Sequence, residues 1–180
     1  MIYAIIALVL IVALLVGLYN RLAKQKIVVE EASSDIETFL KQRYDMIPNL
    51  VEIVKGYAKH EKSTFKEITE MRAKAMSASS LSEKMKIEGE LNKALSKIMA
   101  VAENYPELKA NTNFLELQSS LKDLENNIQK SRRFYNGAAR DFNTMLAVFP
   151  NNLLAGIFGF SKVPFFEATE TEKKNVKVKF

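Results

Sequence analysis

Cysteine is absent from the 180-residue chain and histidine occurs once, which removes most side-chain chemistry before any motif is sought. Without thiols there is no disulfide, no thiolate nucleophile and no thiolate metal site, a composition compatible with a reducing compartment. Three positions before His60 stands Tyr57, so the Glu-x-x-His pairs of a di-metal helical bundle are missing. His60-Glu61 is not followed by a second histidine, so the zinc-protease pattern fails as well. No glycine-rich phosphate loop occurs, and no serine sits in a strand-turn-helix elbow. Acid–base chemistry would rest on Asp, Glu, Lys or Tyr alone. No catalytic, cofactor-binding or metal-ligating residue is expected. The net charge of +5 is spread along the chain, without the basic stripe and interleaved aromatics of a nucleic-acid binder.

Charge is missing altogether from the first twenty residues, MIYAIIALVLIVALLVGLYN. The apolar run Ile2–Leu18, with Leu8 and Leu15 inside it, spans roughly 26 Å as a helix, close to the hydrocarbon thickness of a bilayer. A cleaved signal peptide would carry a basic start and a small-x-small cleavage site, and Leu15-Val16-Gly17 is a poor one. A lipoprotein would need a cysteine after the run. A soluble core helix would show a polar face. The run therefore reads as one uncleaved transmembrane helix. Arg21, Lys24 and Lys26 follow it before the first acid, Glu30, so the N-terminus is expected outside and the remaining domain in the cytoplasm, a bundle on the exported side being the alternative.

Glycine and proline are also scarce, at six and four, and strand-type alternation is missing until the last ten residues. The pattern is all-helical. Val29, Ala32, Ile36, Leu40, Tyr44, Ile47, Val51, Val54 and Ala58 fall at spacings of three and four, so the span is expected to continue into the first bundle helix. Pro48 predicts a kink or a restart near Asp45–Pro48, with Asp45 placed to cap it. A second helix follows from Phe65 to about Ala78, with Met76 on its stripe. A third runs from Leu81 to about Asn104, with Ser80 or Ser82 as cap, and Tyr105-Pro106 ends it. The fourth carries a heptad stripe, Leu121, Ile128, Tyr135, Phe142 and Phe149, with Leu117, Leu124, Ser131, Ala138 and Met145 in the alternate slot, until Pro150. Two long and two shorter helices give an antiparallel up-down-up-down bundle. The expected division is a transmembrane anchor over 1–19, a helical bundle over 20–150 and an apolar, then polar, tail over 151–180.

In such a bundle the fourth helix returns toward the membrane. Leu153, Ile157, Phe158 and Phe160 would then either touch the lipid interface or close the open end of the core. Polar residues beside the helix-four stripe suggest a partly buried network that joins Glu125 and Arg132 to Arg43, Glu61 and Glu103, fixing register rather than performing chemistry.

Several segments together resemble the LemA family. They are Arg43-Tyr44-Asp45-Met46-Ile47-Pro48-Asn49-Leu50-Val51 with Lys55-Gly56-Tyr57-Ala58-Lys59-His60-Glu61, then Ala102-Glu103-Asn104-Tyr105-Pro106-Glu107-Leu108-Lys109-Ala110-Asn111. Leu124-Glu125-Asn126-Asn127-Ile128, Arg132-Arg133-Phe134-Tyr135-Asn136, Phe142-Asn143, Phe149-Pro150 and Phe158-Gly159-Phe160 continue the match in order over about 17–167. The resemblance implies a bacterial protein anchored in the cell membrane by a single pass, with a helical bundle, and it names no activity. The expected role is that of an interaction or scaffold protein, its partners the lipid bilayer and an unidentified protein, with no nucleic acid. A lipid-organising role for the tail is the alternative, and an enzyme working at the polar seam is a third reading.

Overall fold

The computed structural model describes residues 1–166; the polar end of the expected tail, over 167–180, lies outside the described residues. The elements in order are α1 (Ile2–Tyr57), α2 (Lys62–Ser77), α3 (Leu81–Glu103), α4 (Pro106–Lys109), α5 (Thr112–Ala147) and α6 (Asn151–Leu154). Every regular element among the described residues is a helix, and the fold is all-α. The one-turn helices α4 and α6 are additions to the sequence reading; each begins at or just after a proline, whose fixed φ suits the first helical turn.

Helix α1 is unbroken for 56 residues. From Ile2 to Leu14 every residue is exposed, and Leu15 and Leu18 are half-buried. A helix that is apolar on every side and packed against nothing belongs in hydrocarbon, and the protein is membrane-associated through it. Beyond Leu22 the helix becomes one-sided: Val29, Ala32, Ile36, Leu40, Tyr44, Ile47, Val51 and Val54 are all buried.

Pro48 neither ends nor restarts α1, and the reason lies on α2. Proline has no N–H, so the carbonyl four residues earlier, that of Tyr44, loses its helical donor. Arg72 supplies the replacement, its Nε–H donating to the Tyr44 carbonyl oxygen at 2.7 Å. Asp45 is accordingly no cap; its carboxylate accepts from Lys41 Nζ one turn back at 2.6 Å. Arg72→Met should therefore cost about 1–3 kcal/mol, the penalty of an orphaned buried carbonyl. In a Pro48→Ala background, where an alanine N–H restores the helical bond, the same substitution should cost distinctly less. A double-mutant cycle by urea unfolding reads the difference, and equal costs in both backgrounds would refute the pairing.

The described residues divide into two compact units, Met1–Asp35 with Ser131–Phe165, and Ile36–Lys130 with Phe166. In the second unit, the 36–57 portion of α1, α2, α3 and the 112–130 portion of α5 are joined by short connections, which set successive helices antiparallel. Its core includes Leu50, Ile68, Leu91, Ile98, Leu108 and Ile128. Met76, expected on the α2 stripe, is exposed, and Ala75 holds the buried place beside it. Ser80 caps α3: its hydroxyl accepts from the Glu83 N–H at 3.1 Å, while the Glu83 carboxylate accepts from the Ser79 N–H at 3.2 Å. Asn111 starts α5 in the same way, its side-chain oxygen accepting from the Phe114 N–H.

In the first unit, the segment after α5 folds back on the helix. Both amide atoms of Asn143 pair with the Val163 backbone at 2.9 Å, Nδ2 donating to its carbonyl and Oδ1 accepting from its N–H. The Tyr135 hydroxyl donates to the Pro164 carbonyl at 2.9 Å, and burial pushes that phenol above its ordinary value near 10. The turn after α6 closes as a Schellman motif. Phe160 N–H donates to Ala155 O and Gly159 N–H to Gly156 O, with Gly159 at φ +73°, which a side chain would strain. The turn presents two rings to Tyr19, with centroids at 5.3 Å for Phe158 and 5.7 Å for Phe160, and Phe160 also meets Phe142 at 6.3 Å. Phe149, expected to continue the heptad stripe, is 77% exposed because α5 stops at Ala147.

Candidate functional site

The chemically densest place in the described residues is in the second unit, around Arg43. Position 43 lies midway between Ile36 and Leu50, seven residues from each, and both are fully buried. The guanidinium therefore points into the bundle, its side chain 4% exposed. Taking it out of water is tolerable only with near-complete pairing. That pairing is supplied by three residues. Nη1 donates to Glu88 Oε2 and to Glu125 Oε2, each at 3.0 Å, and Nη2 donates to Asn92 Oδ1.

Glu88 is as deeply buried as Arg43 and has a second donor, the Tyr44 hydroxyl, at 2.6 Å from Oε1. Glu125, by contrast, remains 31% exposed at its side chain and takes Gln129 Nε2 at 3.2 Å on its other oxygen. A continuous chain of bonds thus runs Gln129–Glu125–Arg43–Glu88–Tyr44, and the Tyr44 carbonyl continues it to Arg72. It ties α1, α2, α3 and α5 to one register. Two carboxylates face the Arg43 guanidinium, and of the two Glu125 is the one that reaches solvent.

Beside the network lies an open groove of about 830 Å³ between α3 and α5. Leu95, Ser96, Met99, Ala100 and Glu103 form its α3 wall, at the spacing of one helix face. Leu115, Gln118, Ser119 and Lys122 form the α5 wall, with Leu121 also lining it, and Arg43, Asn92 and Glu125 line the end beside the network. The walls mix apolar side chains, Leu95, Met99, Ala100, Leu115 and Leu121, with polar and charged ones. The Ser96 hydroxyl is engaged by the backbone, donating to the Asn92 carbonyl.

Of the five residues expected in a polar network, the structure brings Arg43 and Glu125 into direct contact. Glu103 stands on the same groove, exposed on its wall. Glu61 precedes α2 as its N-cap residue and makes no side-chain capping bond. Arg132 falls in the other unit. Glu88 and Asn92, which complete the network, were not singled out from sequence. The signal was present: Glu88 stands seven residues before Leu95 and fourteen before Ala102, an acid in a slot otherwise apolar and buried. Among the tail residues, Leu153 and Ile157 are exposed, whereas Phe158 and Phe160 are half-buried against Tyr19.

Comparison with known proteins gives relatives at about one-quarter identity over most of the chain. "Magnetosome protein MamQ 2" of Paramagnetospirillum magneticum is 25% identical, over 93% of this chain and 71% of its own length. "Magnetosome protein MamQ" of Magnetospirillum gryphiswaldense is 24% identical, over 91% and 70%. "Protein LemA" of Metamycoplasma hominis is 26% identical, over 89% of this chain and 74% of its own. The model of the LemA family matches residues 32–180, more than four-fifths of the chain including the whole Arg43 network, and the protein belongs to that family.

Proposed function

We propose that the protein is a membrane-anchored, non-catalytic docking module whose α3–α5 groove receives a helical segment of a partner protein. The groove is the observation that carries this reading. Its α3 wall runs over nine residues, Leu95 to Glu103, and its α5 wall over eleven, Leu115 to Glu125, a rise of roughly 12–15 Å, or two to three helical turns. It is open along one side, which suits a side-chain-bearing helix better than an enclosed small molecule. Apolar Leu95, Met99, Leu115 and Leu121 offer burial for i, i+3, i+4 anchors, while Glu103, Lys122 and Glu125 set orientation at the rim. The paired Arg43 cluster holds the two walls in place, and the α1 span keeps the groove at a membrane. The basic flank Arg21, Lys24 and Lys26 supports a cytoplasmic groove, which protease accessibility of the C-terminus in intact cells checks directly.

A photocrosslinking amino acid at Met99 or Ser119, in the full chain in its native membrane, should give one discrete adduct. The same probe at exposed Glu70 on α2 should give none. Leu115→Glu should abolish the adduct formed from Ser119 while leaving the thermal melt unchanged, because Leu115 is exposed. A smear or no product at both groove positions would remove the docking role.

A further inference from the structure

We propose that residues 142–161 form a second membrane contact, a lipid-facing element held against the end of the α1 span. Between Asp141 and Lys162 lie twenty residues, FNTMLAVFPNNLLAGIFGFS, without a single charge. In a water-soluble domain such a stretch would be a buried core element, and here it is only half that. Its inward side is spent: Phe142, Leu146 and Ala155 are buried, and Phe158 and Phe160 meet Tyr19. Its outward side is apolar and open, with Phe149 and Ile157 each 77% exposed, Leu153 63% and Val148 47%. Four large apolar side chains turned outward from one uncharged segment form a patch that water disfavours.

The position of Tyr19 identifies what covers the patch. Tyr19 is the residue after Leu18, so its Cα lies about 1.5 Å in helical rise beyond the end of the apolar run. Its ring sits within 6 Å, centroid to centroid, of both Phe158 and Phe160. The element is therefore bound to the segment of α1 that leaves the hydrocarbon, at the depth where aromatic rings favour the headgroup boundary. A second protein seated there would have to displace lipid already surrounding the span. Lys162 at one end, and Arg21, Lys24 and Lys26 on the adjoining turns of α1, provide cations at headgroup level and favour an anionic surface. The Schellman turn at Gly159 explains the division of labour, since it reverses the chain so that the rings face Tyr19 while Ile157 stays outside.

The chain contains no tryptophan, so single tryptophans report without background. Leu153→Trp and Ile157→Trp are placed separately in the full chain and reconstituted into vesicles of phosphatidylcholine and phosphatidylglycerol with brominated acyl chains. Phe134→Trp is the reference: Phe134 is exposed on α5, thirteen residues and roughly 20 Å before the helix ends at Ala147. Emission at 153 and 157 should be blue-shifted and quenched at least about twofold by bromine, with the reference unquenched. Equal emission and quenching at all three positions overturns the proposal. So does protection of 153 and 157 from aqueous acrylamide without bromine quenching, which would assign the patch to a second protein copy. The two positions lie on separate turns, so a folding defect in one variant leaves the other to decide.

Discussion

Replacement of Arg43 by methionine should destabilise the protein by about 3–5 kcal/mol, as measured by urea unfolding, because it strands a buried carboxylate. Glu88 is 1% exposed and would keep only the Tyr44 hydroxyl as donor. The loss would come from the uncompensated charge rather than from missing volume, since methionine fills much of the arginine stem's space. The double variant Arg43→Met/Glu88→Leu should therefore recover a substantial part of the loss. Glu125→Ala is milder, at about 1–2 kcal/mol, because Arg43 retains Glu88 and Asn92, and Gln129 faces water. An Arg43→Met melt within a degree of the parent, or a double variant no better than the single, would show that the cluster is not a compensated buried pair.

The burial pattern behind that result was partly legible in the chain. The stripe from Val29 on α1 to Ala58 just past its end is buried at every position read from its spacing, because a long helix with one apolar face has one way to pack. Arg43 and Glu125 could be marked from their neighbours, since a charge beside an apolar stripe must find a partner. Which partner it finds depends on the register between helices distant in sequence, and for that reason Glu88 and Asn92 went unmarked. Arg72 illustrates the same gap more sharply. Pro48 announces a carbonyl without a donor, and a restarted helix was the local answer. The tertiary answer is a side chain 28 residues from that carbonyl, on α2. The groove was illegible for a related reason. A groove is a place where two helix faces fail to meet, and periodicity reports only the faces that do.

Phe142 and Phe149 occupy the same heptad slot in sequence, yet Phe142→Ala should cost about 3–5 kcal/mol in detergent-solubilised protein and Phe149→Ala less than about 0.5. Phe142 is fully buried and sits edge-on to Phe160, so its removal opens a cavity beneath the ring that also meets Tyr19. Phe149 lies two residues past the end of α5, where the helical repeat no longer controls which way a side chain faces, and it is among the most exposed large apolar residues of the chain. The stripe itself shifts before the end: Ala138 and Ala139 are both buried, but one heptad later Leu146 is buried and Met145 only half-buried, as a helix of 3.6 residues per turn drifts against a repeat of seven. The pair of substitutions separates two meanings of an aromatic residue that spacing alone cannot distinguish. At Phe142 the ring is part of the fold. At Phe149 it contributes nothing to folding in detergent, and any loss on its replacement should appear only when a bilayer is present. Equal costs at the two positions in detergent would mean that the segment after α5 packs inward, and the lipid-facing reading of residues 142–161 would fall with it.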